Sequence, residues 1–588
     1  MFNLSGIFNL KKGGKLNMSI IKTLIDNRLT KDEFYTWYNN SYRNVIDVKY
    51  DNLFNYMSSL PDINQAVNEL IYALITKKVI ILCVDIDHDG CASGVIGYKF
   101  LTTLFPTLTP KVRLIISSRK FKRGFNQDMI DKIESYVNKE NVIPGLIITA
   151  DMGSSDNQRY KLIKDTYKDI KIIVTDHHTV EEDNYPTYAN AFINVQRDDF
   201  KLEKCICGCA TLFFLLVSTY FKFYKIQDKD INLFKDYLPY VAAATIVDSM
   251  SMKYPINRYL VKLGLQYLNL YPDRNFSTIK KLLRLPNILR YKDIAMSIGP
   301  LINTGNRLSF EQLTLYSLTT EDDNKSLELM RKLSELSKIR KQMTNDVLQN
   351  TLNMNHIYEY KYVTVVKTIS RINIAGVIAN NILGMTNTPC ICFLDNNSDI
   401  LIGSARSIDG VNLLSIVRTL SDYIIEANGH EAAFGISIRK EKFEEFKQQL
   451  NIALQPVINN LPKSTLQAEL MLSHEDLTID TMSKIDMISP YGVDWKQPIC
   501  SCVETFKIID IFPIKNFYKL TFQLVNGLTI TGMHFFKDNI TSGIYSYNFM
   551  DIIKIGMRVK LFFYLTLSYY KEYSIGLEII DIYPRHKE

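Results

Sequence analysis

The chain has 588 residues, too many for a single hydrophobic core, so three or four domains are expected. It is 46% hydrophobic and 22% charged, with no apolar run near the length of a bilayer span, which excludes disordered and membrane-spanning classes and points to a soluble globular protein. A net charge of +7 excludes a polybasic protein and leaves room for one local basic groove.

Residues Met1 to Asn17 contain Lys11-Lys12-Gly13-Gly14-Lys15 without periodicity and read as a tail, with Met18 an alternative start. From Ser19 to Leu70, short helical patterns suggest a cap on the next domain. Val79 to Val84 is then six apolar or β-branched residues in a row, a strand buried on both faces, ending in Asp85-Ile86-Asp87-His88-Asp89-Gly90. Three alternating carboxylates without a neutralising cation repel one another unless a hard divalent ion joins them. An Asp-rich turn would look similar in isolation. Ser93 to Phe100 continues as a helix, which starts a strand–helix alternation.

The segment Ser117-Ser118-Arg119-Lys120-Phe121-Lys122-Arg123-Gly124-Phe125-Asn126 interleaves basic and aromatic residues, a composition that suits a phosphate backbone and stacked bases. Two further apolar strands repeat the first design. Leu146–Ala150 runs into Asp151-Met152-Gly153, and Lys171–Thr175 runs into Asp176-His177-His178. In an open parallel α/β sheet such C-terminal ends line one crevice. Asp248, after the small apolar run Val241–Val247, is a fourth candidate. Carboxylates with one or two imidazoles suit Mn²⁺ or Mg²⁺ better than zinc. The nine cysteines form no CxxC pair, which argues against structural zinc; without a secretory signal they are expected as reduced thiols in a cytoplasm.

From Glu321 to Leu352, Leu329, Leu333, Leu336, Met343 and Val347 recur at helical spacing with no proline or glycine, so one long amphipathic helix is expected to join two domains, with Arg340 and Lys341 available to a bound strand. Residues 360–455 hold short strands and a helix over Ala375–Leu383. Arg406 and His430, beside glycines that permit close backbone approach, are placed against phosphates. From Leu466 the pattern is β-rich and evenly spaced, over Phe506–Ile511, Tyr518–Leu524, Leu528–Gly532 and Val559–Tyr564, as in a small barrel of OB type.

The set Asp-x-Asp-x-Asp-Gly, Asp-x-Gly and Asp-His-His resembles the DHH phosphoesterase superfamily, and later segments narrow the resemblance to its RecJ-like single-strand exonucleases. These are Cys207-Gly208-Cys209-Ala210, Thr245-Ile246-Val247-Asp248, Asn257-Arg258 with Gly264-Leu265, and Gly299 to Leu308. Gly403 to Ile408, Gly429 to Gly435 and Pro490-Tyr491-Gly492 follow in the same order, so the resemblance covers roughly residues 78–588. It implies a small-residue strand ending in Asp248, a doubly wound mainly parallel sheet over 71–320 behind a cap over 1–70, a linking helix over 321–352, a smaller α/β DHH-associated domain over 353–458, and an OB-like domain over 459–588.

The resemblance further implies Asp87, Asp89, Asp151, His177 and Asp248 as ligands of two Mn²⁺ or Mg²⁺ ions about 3.5–4 Å apart, with Asp151 bridging and Asp85 orienting them from behind. Asp176 belongs to the same catalytic set; His178 would contact the scissile phosphate or protonate the leaving oxygen. Asn303, Arg307, Arg119, Arg406, Ser407, Gly429 and His430 would hold the substrate. The expected reaction is 5′-to-3′ hydrolysis of single-stranded DNA to mononucleotides by a monomer, with a single-strand-binding protein or helicase as a possible partner in recombination, repair or replication. Leu301, Asn306, Asn428, Cys83 and the pair Asp494-Trp495 depart from the family pattern, which bears on DNA grip and rate more than on chemistry. A DHH phosphodiesterase for short oligonucleotides or cyclic dinucleotides is a second reading, against which the β-rich extension argues. A non-catalytic replication scaffold is a third; such relatives lose carboxylates that this chain keeps.

Overall fold

The computed structural model describes residues 19–584 apart from 40, 49, 51, 119–123, 181, 354–356, 370–373, 409, 462–465, 515–516, 536–539, 543–544, 548–552 and 569–573. The tail at 1–17 lies outside this range.

Short helices at Ser19–Asp26, Lys31–Tyr38, Tyr42–Asp47 and Leu53–Ser59 form the cap, the second of them started by a Thr30–Glu33 capping box. Behind it lies a five-stranded parallel sheet of β1 (Ile80–Val84), β2 (Val112–Ile116), β3 (Leu146–Ala150), β4 (Lys171–Asp176) and β5 (Ala191–Asn194), in the order β2-β1-β3-β4-β5. Every residue of β1 and β3 is buried, because helices cover both faces. Ile80, Leu82 and Val84 pack with the helices Ile63–Ile75, His88–Thr103 and Gly208–Phe223; Ile81 and Cys83 pack with Gln127–Glu140 and Asn157–Thr166. Each such side chain contributes about 1.5–3 kcal/mol of transfer free energy. This doubly wound arrangement places all five strand C-termini on one edge.

The run Val241–Val247 departs from expectation. It is not a strand but the helix Leu238–Val247, with Pro239 in its first turn and buried on all sides. Six apolar residues and a threonine read equally well as a buried helix, and three consecutive alanines carry the highest helix propensity. Gly264, on the helix Pro255–Leu270, lets the two helices approach until a Cβ there would collide with Leu238 O. Asp248 is thereby delivered from a helix C-terminus, opposite the sheet edge.

The Asp323–Asn353 helix has 31 residues, about 46 Å at 1.5 Å per residue. Its Met330 and Leu333 pack into the catalytic-domain core, whereas Leu348 packs with Val366 and Ile378 of the next domain. That domain is a mixed sheet of β6 (Ile357–Glu359), β7 (Thr364–Thr368), β8 (Cys390–Leu394), β9 (Ile400–Arg406), β10 (Glu426–His430) and β11 (Ala433–Arg439), ordered β10-β11-β9-β8-β7-β6, with the Ala375–Thr386 helix against it.

The C-terminal domain has two flanking strands, β12 (Leu470–Leu472) and β13 (Cys500–Cys502), followed by β14 (Phe506–Ile514), β15 (Phe517–Gln523) and β16 (Thr529–His534). A hairpin of β17 (Ile540–Ser542) and β18 (Tyr545–Tyr547) precedes β19 (Arg558–Ser568) and β20 (Ser574–Pro584). Pairing runs β19-β14-β15-β16-β20 and closes through β19–β20, so five strands form an OB-like barrel without free edges. All nine cysteines are free thiols.

Candidate metal centre and adjoining groove

The site is assembled from the sheet edge. Asp85 follows β1, Asp87 caps the His88–Thr103 helix, and Asp89 lies in its first turn. Asp151 follows β3; Asp176 ends β4, with His177 and His178 next. Asp87 Oδ1 accepts from Asp89 N (3.0 Å) and Gly90 N (3.3 Å). Asp89 is held from the other side, where the first turn of the Gly208–Phe223 helix donates Gly208 N (2.7 Å) and Cys209 N (2.8 Å) to its two oxygens, as helix N-termini do for anions. A side chain at Gly208 would lie 2.6 Å from Asp151 Cα, Cβ and Oδ1, so only glycine admits this approach. Asp151 itself has φ +61°, in the left-handed region that non-glycine residues rarely adopt.

His177 Nε2 stands 3.2 Å from Asp151 Oδ1, 3.5 Å from Asp248 Oδ2 and 3.7 Å from Asp89 Oδ2. Ligands about 2.1 Å from an octahedral ion lie about 3.0 Å from their neighbours, close to these separations. Asp85, Asp87 and Asp151 form a second group with oxygens within 4.8 Å of one another, which brings Asp85 near enough to serve as a donor as well as to orient the others, and Asp151, His177 and His178 form a third. Asp151 faces all three. Burial and then the charges of Asp89, Asp87, Asp85 and Asp248 push the Asp151 carboxyl well above its ordinary range; burial and Asp87 push Asp89 up to about 6. Such repulsion in a nearly dry pocket of oxygen donors with one imidazole is what a hard divalent cation relieves, so the residues fit Mn²⁺ or Mg²⁺.

Asp176 does not join the donor groups. Its carboxylate accepts from His177 N (2.7 Å), His178 N (3.2 Å), His178 Nδ1 (2.8 Å), Ser154 N (3.0 Å) and Ser154 Oγ (2.6 Å), fixing both histidines. Burial raises its pKa, but His178 and these donors outweigh burial and hold it well below the carboxylate range. For His178 burial works against the charged ring, while the Asp176 carboxylate raises the pKa to about 10. Two residues absent from the sequence reading complete this anchor: Asn194 Nδ2 donates to Ser154 Oγ (2.7 Å) and to His178 O (2.9 Å). The signal available was that β5, like β4, ends in a polar residue.

A groove of about 460 Å³ leads away beside Val247, lined by Asn303 and Arg307, one turn apart on the Gly299–Arg307 helix, and by Arg340 and Lys341 on the linking helix. Burial, and after it the charge of Arg307, lowers the pKa of both Arg340 and Arg406, so three guanidinium groups from three segments converge. Arg406 Nη1 donates to Ser404 Oγ (2.9 Å) and Ala405 O (2.6 Å), which leaves its charge to face an anion. Other expected substrate residues are placed differently. Ser407 turns its hydroxyl to Val411 O (2.9 Å), and Gly429 (φ +144°) lies so close to Phe434 in the β10–β11 hairpin that a Cβ would meet its Cα at 2.7 Å. The side chain of His430, and Arg119 with the basic stretch to Arg123, lie outside the described residues. Phe125, read with that stretch as a possible base-stacking residue, is instead buried against Tyr160, ring centroids 5.2 Å apart.

Comparison with known proteins accords with this geometry. Residues 78–245 match the DHH family, N-terminal domain, and residues 359–455 the DHHA1 domain. Among curated proteins, the single-stranded-DNA-specific exonuclease RecJ of Haemophilus influenzae is 26% identical over 494 residues, covering 80% of this chain and 83% of the relative. RecJ of Escherichia coli is 23% identical over 466 residues, covering 75% and 77%. In fold, the chain resembles the crystal structure of RecJ in complex with Mn²⁺ from Thermus thermophilus, with TM-score 0.71 at 18% identity, over 97% of this chain and 77% of that one. The chain thus carries a DHH-family N-terminal domain and a DHHA1 domain in this order and is similar to RecJ exonucleases along most of its length.

Proposed function

We propose that this chain is a metal-dependent exonuclease that hydrolyses single-stranded DNA, in the 5′-to-3′ direction, to mononucleotides. The observation that carries the reading is the adjacency of donor groups that meet at Asp151 and His177 to a groove walled by Arg307, Arg340 and Lys341. Asp87, Asp89, Asp151, His177 and Asp248, together with Asp85, would hold two Mn²⁺ or Mg²⁺ ions. When bound, the ions supply water activation and charge neutralisation at the scissile phosphate.

The chain's own residues do the rest. Arg307 in the groove and Arg406 near it balance phosphate charge, and Asn303, one turn from Arg307, offers an amide to the same strand. Burial of the carboxylates keeps competing water out. His178, held protonated by Asp176, presents a charged ring at the mouth of the crevice, where it can contact the phosphate or give a proton to the departing oxygen. The Asp176–Ser154–Asn194 bonds fix its orientation. We propose action as a monomer in the cytoplasm, in concert with a single-strand-binding protein or helicase; among the described residues, no helix is long and apolar enough to cross a membrane.

The test uses one long single strand labelled at its 5′ end in one sample and its 3′ end in another, with Mn²⁺ or EDTA, and Asp151→Ala beside wild type. Immediate release of the 5′ label as mononucleotide, with gradual shortening of the 3′-labelled strand, only with Mn²⁺ and only in wild type, is expected. DNA bound but left whole by both proteins would refute the reading.

A further inference from the structure

Two stretches that the site does not use, Asn257-Arg258 and the segment after Pro490, meet in the structure at the first turn of the Pro255–Leu270 helix. Asn257 is fully buried and donates both amide hydrogens to backbone carbonyls of two different segments, Cys205 O (2.8 Å) and Ser251 O (3.1 Å). The first segment runs on into Gly208, whose N–H holds Asp89. The second begins at Asp248. Asp89 and Asp248 both face His177 Nε2, so one side chain ties together the two pieces of backbone that place them.

Arg258 carries the connection outward. It too is fully buried, with its guanidinium 4.3 Å from the Trp495 ring and Nη2 donating to Val45 O of the cap (3.3 Å) and Ile488 O of the C-terminal domain (3.0 Å). Trp495 Nε1 donates to the same Ile488 O (2.8 Å). A guanidinium buried against carbonyls and an indole, with no hydrogen-bond partner for Nε and Nη1 among the described residues, is an expensive way to fill space. A second link is direct: Met252 N, one residue beyond Ser251, donates to Val493 O (2.8 Å), and a Cβ on Gly492 would lie 2.7 Å from Met252 Cγ.

We propose that Asn257 and Arg258 are positioning residues through which the docked C-terminal domain sets Asp89 and Asp248 about His177. The inference rests on the metal-centre reading above. It makes ion affinity at the Asp89–His177–Asp248 group depend on a contact made by the barrel domain, and leaves the Asp85–Asp87 group untouched.

The test follows Mn²⁺ binding to the full chain, without DNA, through the electron paramagnetic resonance signal of the free ion, in wild type, Asn257→Ala, Arg258→Met and Trp495→Phe. In Asn257→Ala and Arg258→Met one of two bound ions weakens on the order of tenfold, the usual scale for groups that orient ligands, and the other holds. Their kcat falls at low Mn²⁺ and recovers at high Mn²⁺ with KM for DNA unchanged. Trp495→Phe keeps a ring over Arg258 and binds as wild type does. Variants that melt earlier yet bind both ions normally would reduce the two residues to a structural role and overturn the proposal. Should Asn257→Ala fail to fold, Arg258→Met, near in volume, decides the matter alone. A wild-type chain that binds no Mn²⁺ would overturn the metal-centre reading itself, a failure distinct from unaltered binding in the variants.

Discussion

At Gly208 a backbone amide must reach Asp89 while the same Cα passes Asp151. Adding one methyl, as in Gly208→Ala, forces the donor helix away or Asp151 off its position; we expect a stability loss of about 1–3 kcal/mol from overpacking and Mn²⁺ affinity lower by about 10–100-fold. Thermal melting and Mn²⁺ titration of the same preparation check both, and an unaltered Mn²⁺ titration would contradict the role given to this glycine. Asp176 offers a test of a different kind. Its carboxylate raises the pKa of His178 to about 10 in the metal-free chain, and cations bound at Asp85 and Asp248 pull that value down, so activity that needs the charged ring falls on an alkaline limb at or below about pH 10. In Asp176→Asn the ring returns toward its ordinary value of about 6.5, and the alkaline limb of the pH–rate profile moves down with it. A limb left in place would mean that His178 is not the group responsible.

At the scale of elements, the linking helix is a wall of the groove as well as a connector. Arg340 lies there beside Arg307 of the catalytic domain, close enough to be lowered by its charge, as Arg406 of the associated domain is too. Arg340→Ala should weaken single-strand binding at low salt, reduce the slope of log affinity against log salt by about 1, and leave kcat at saturating DNA nearly unchanged. Titrations at several salt concentrations read this directly; an unchanged slope would place the strand elsewhere. The helix itself was legible because its apolar residues from Leu329 to Val347 recur for about five turns without a breaker, and β1, β3 and β4 were legible because each is an apolar run stopped by carboxylates. The helix carrying Asp248 was misread because a seven-residue, mostly apolar run has no period to separate strand from helix. Ser154 and Asn194 stayed hidden for another reason: the meaning of each comes only from Asp176 and His178 in space.

For the whole molecule, the metal centre is also a term in folding stability, and its sign can be worked out. Burial and the charge of Asp87 raise Asp89 to about 6 in the folded chain, against about 3.9 for an unfolded aspartate. A group raised in this way favours folding when protonated, so its contribution is fully present below about pH 4 and is lost as pH rises through about 6. Asp151 is raised further by burial and four neighbouring carboxylates, and extends the loss to higher pH. Stripped of divalent ions by EDTA, the chain should therefore lose thermal stability as pH climbs from about 4 past 6. Mn²⁺ reverses the loss most strongly where the carboxylates are ionised, because it binds only the deprotonated donors; at a hundredfold excess over its Kd one ion adds about 2.7 kcal/mol. Melting curves at pH 5 and pH 8, each with EDTA or Mn²⁺, should show a larger Mn²⁺-induced rise at pH 8, and Asp151→Asn should flatten the dependence seen in EDTA. Equal rises at both pH values would mean that carboxylate repulsion does not govern the metal-free state, and that the cluster is discharged by something other than a bound cation.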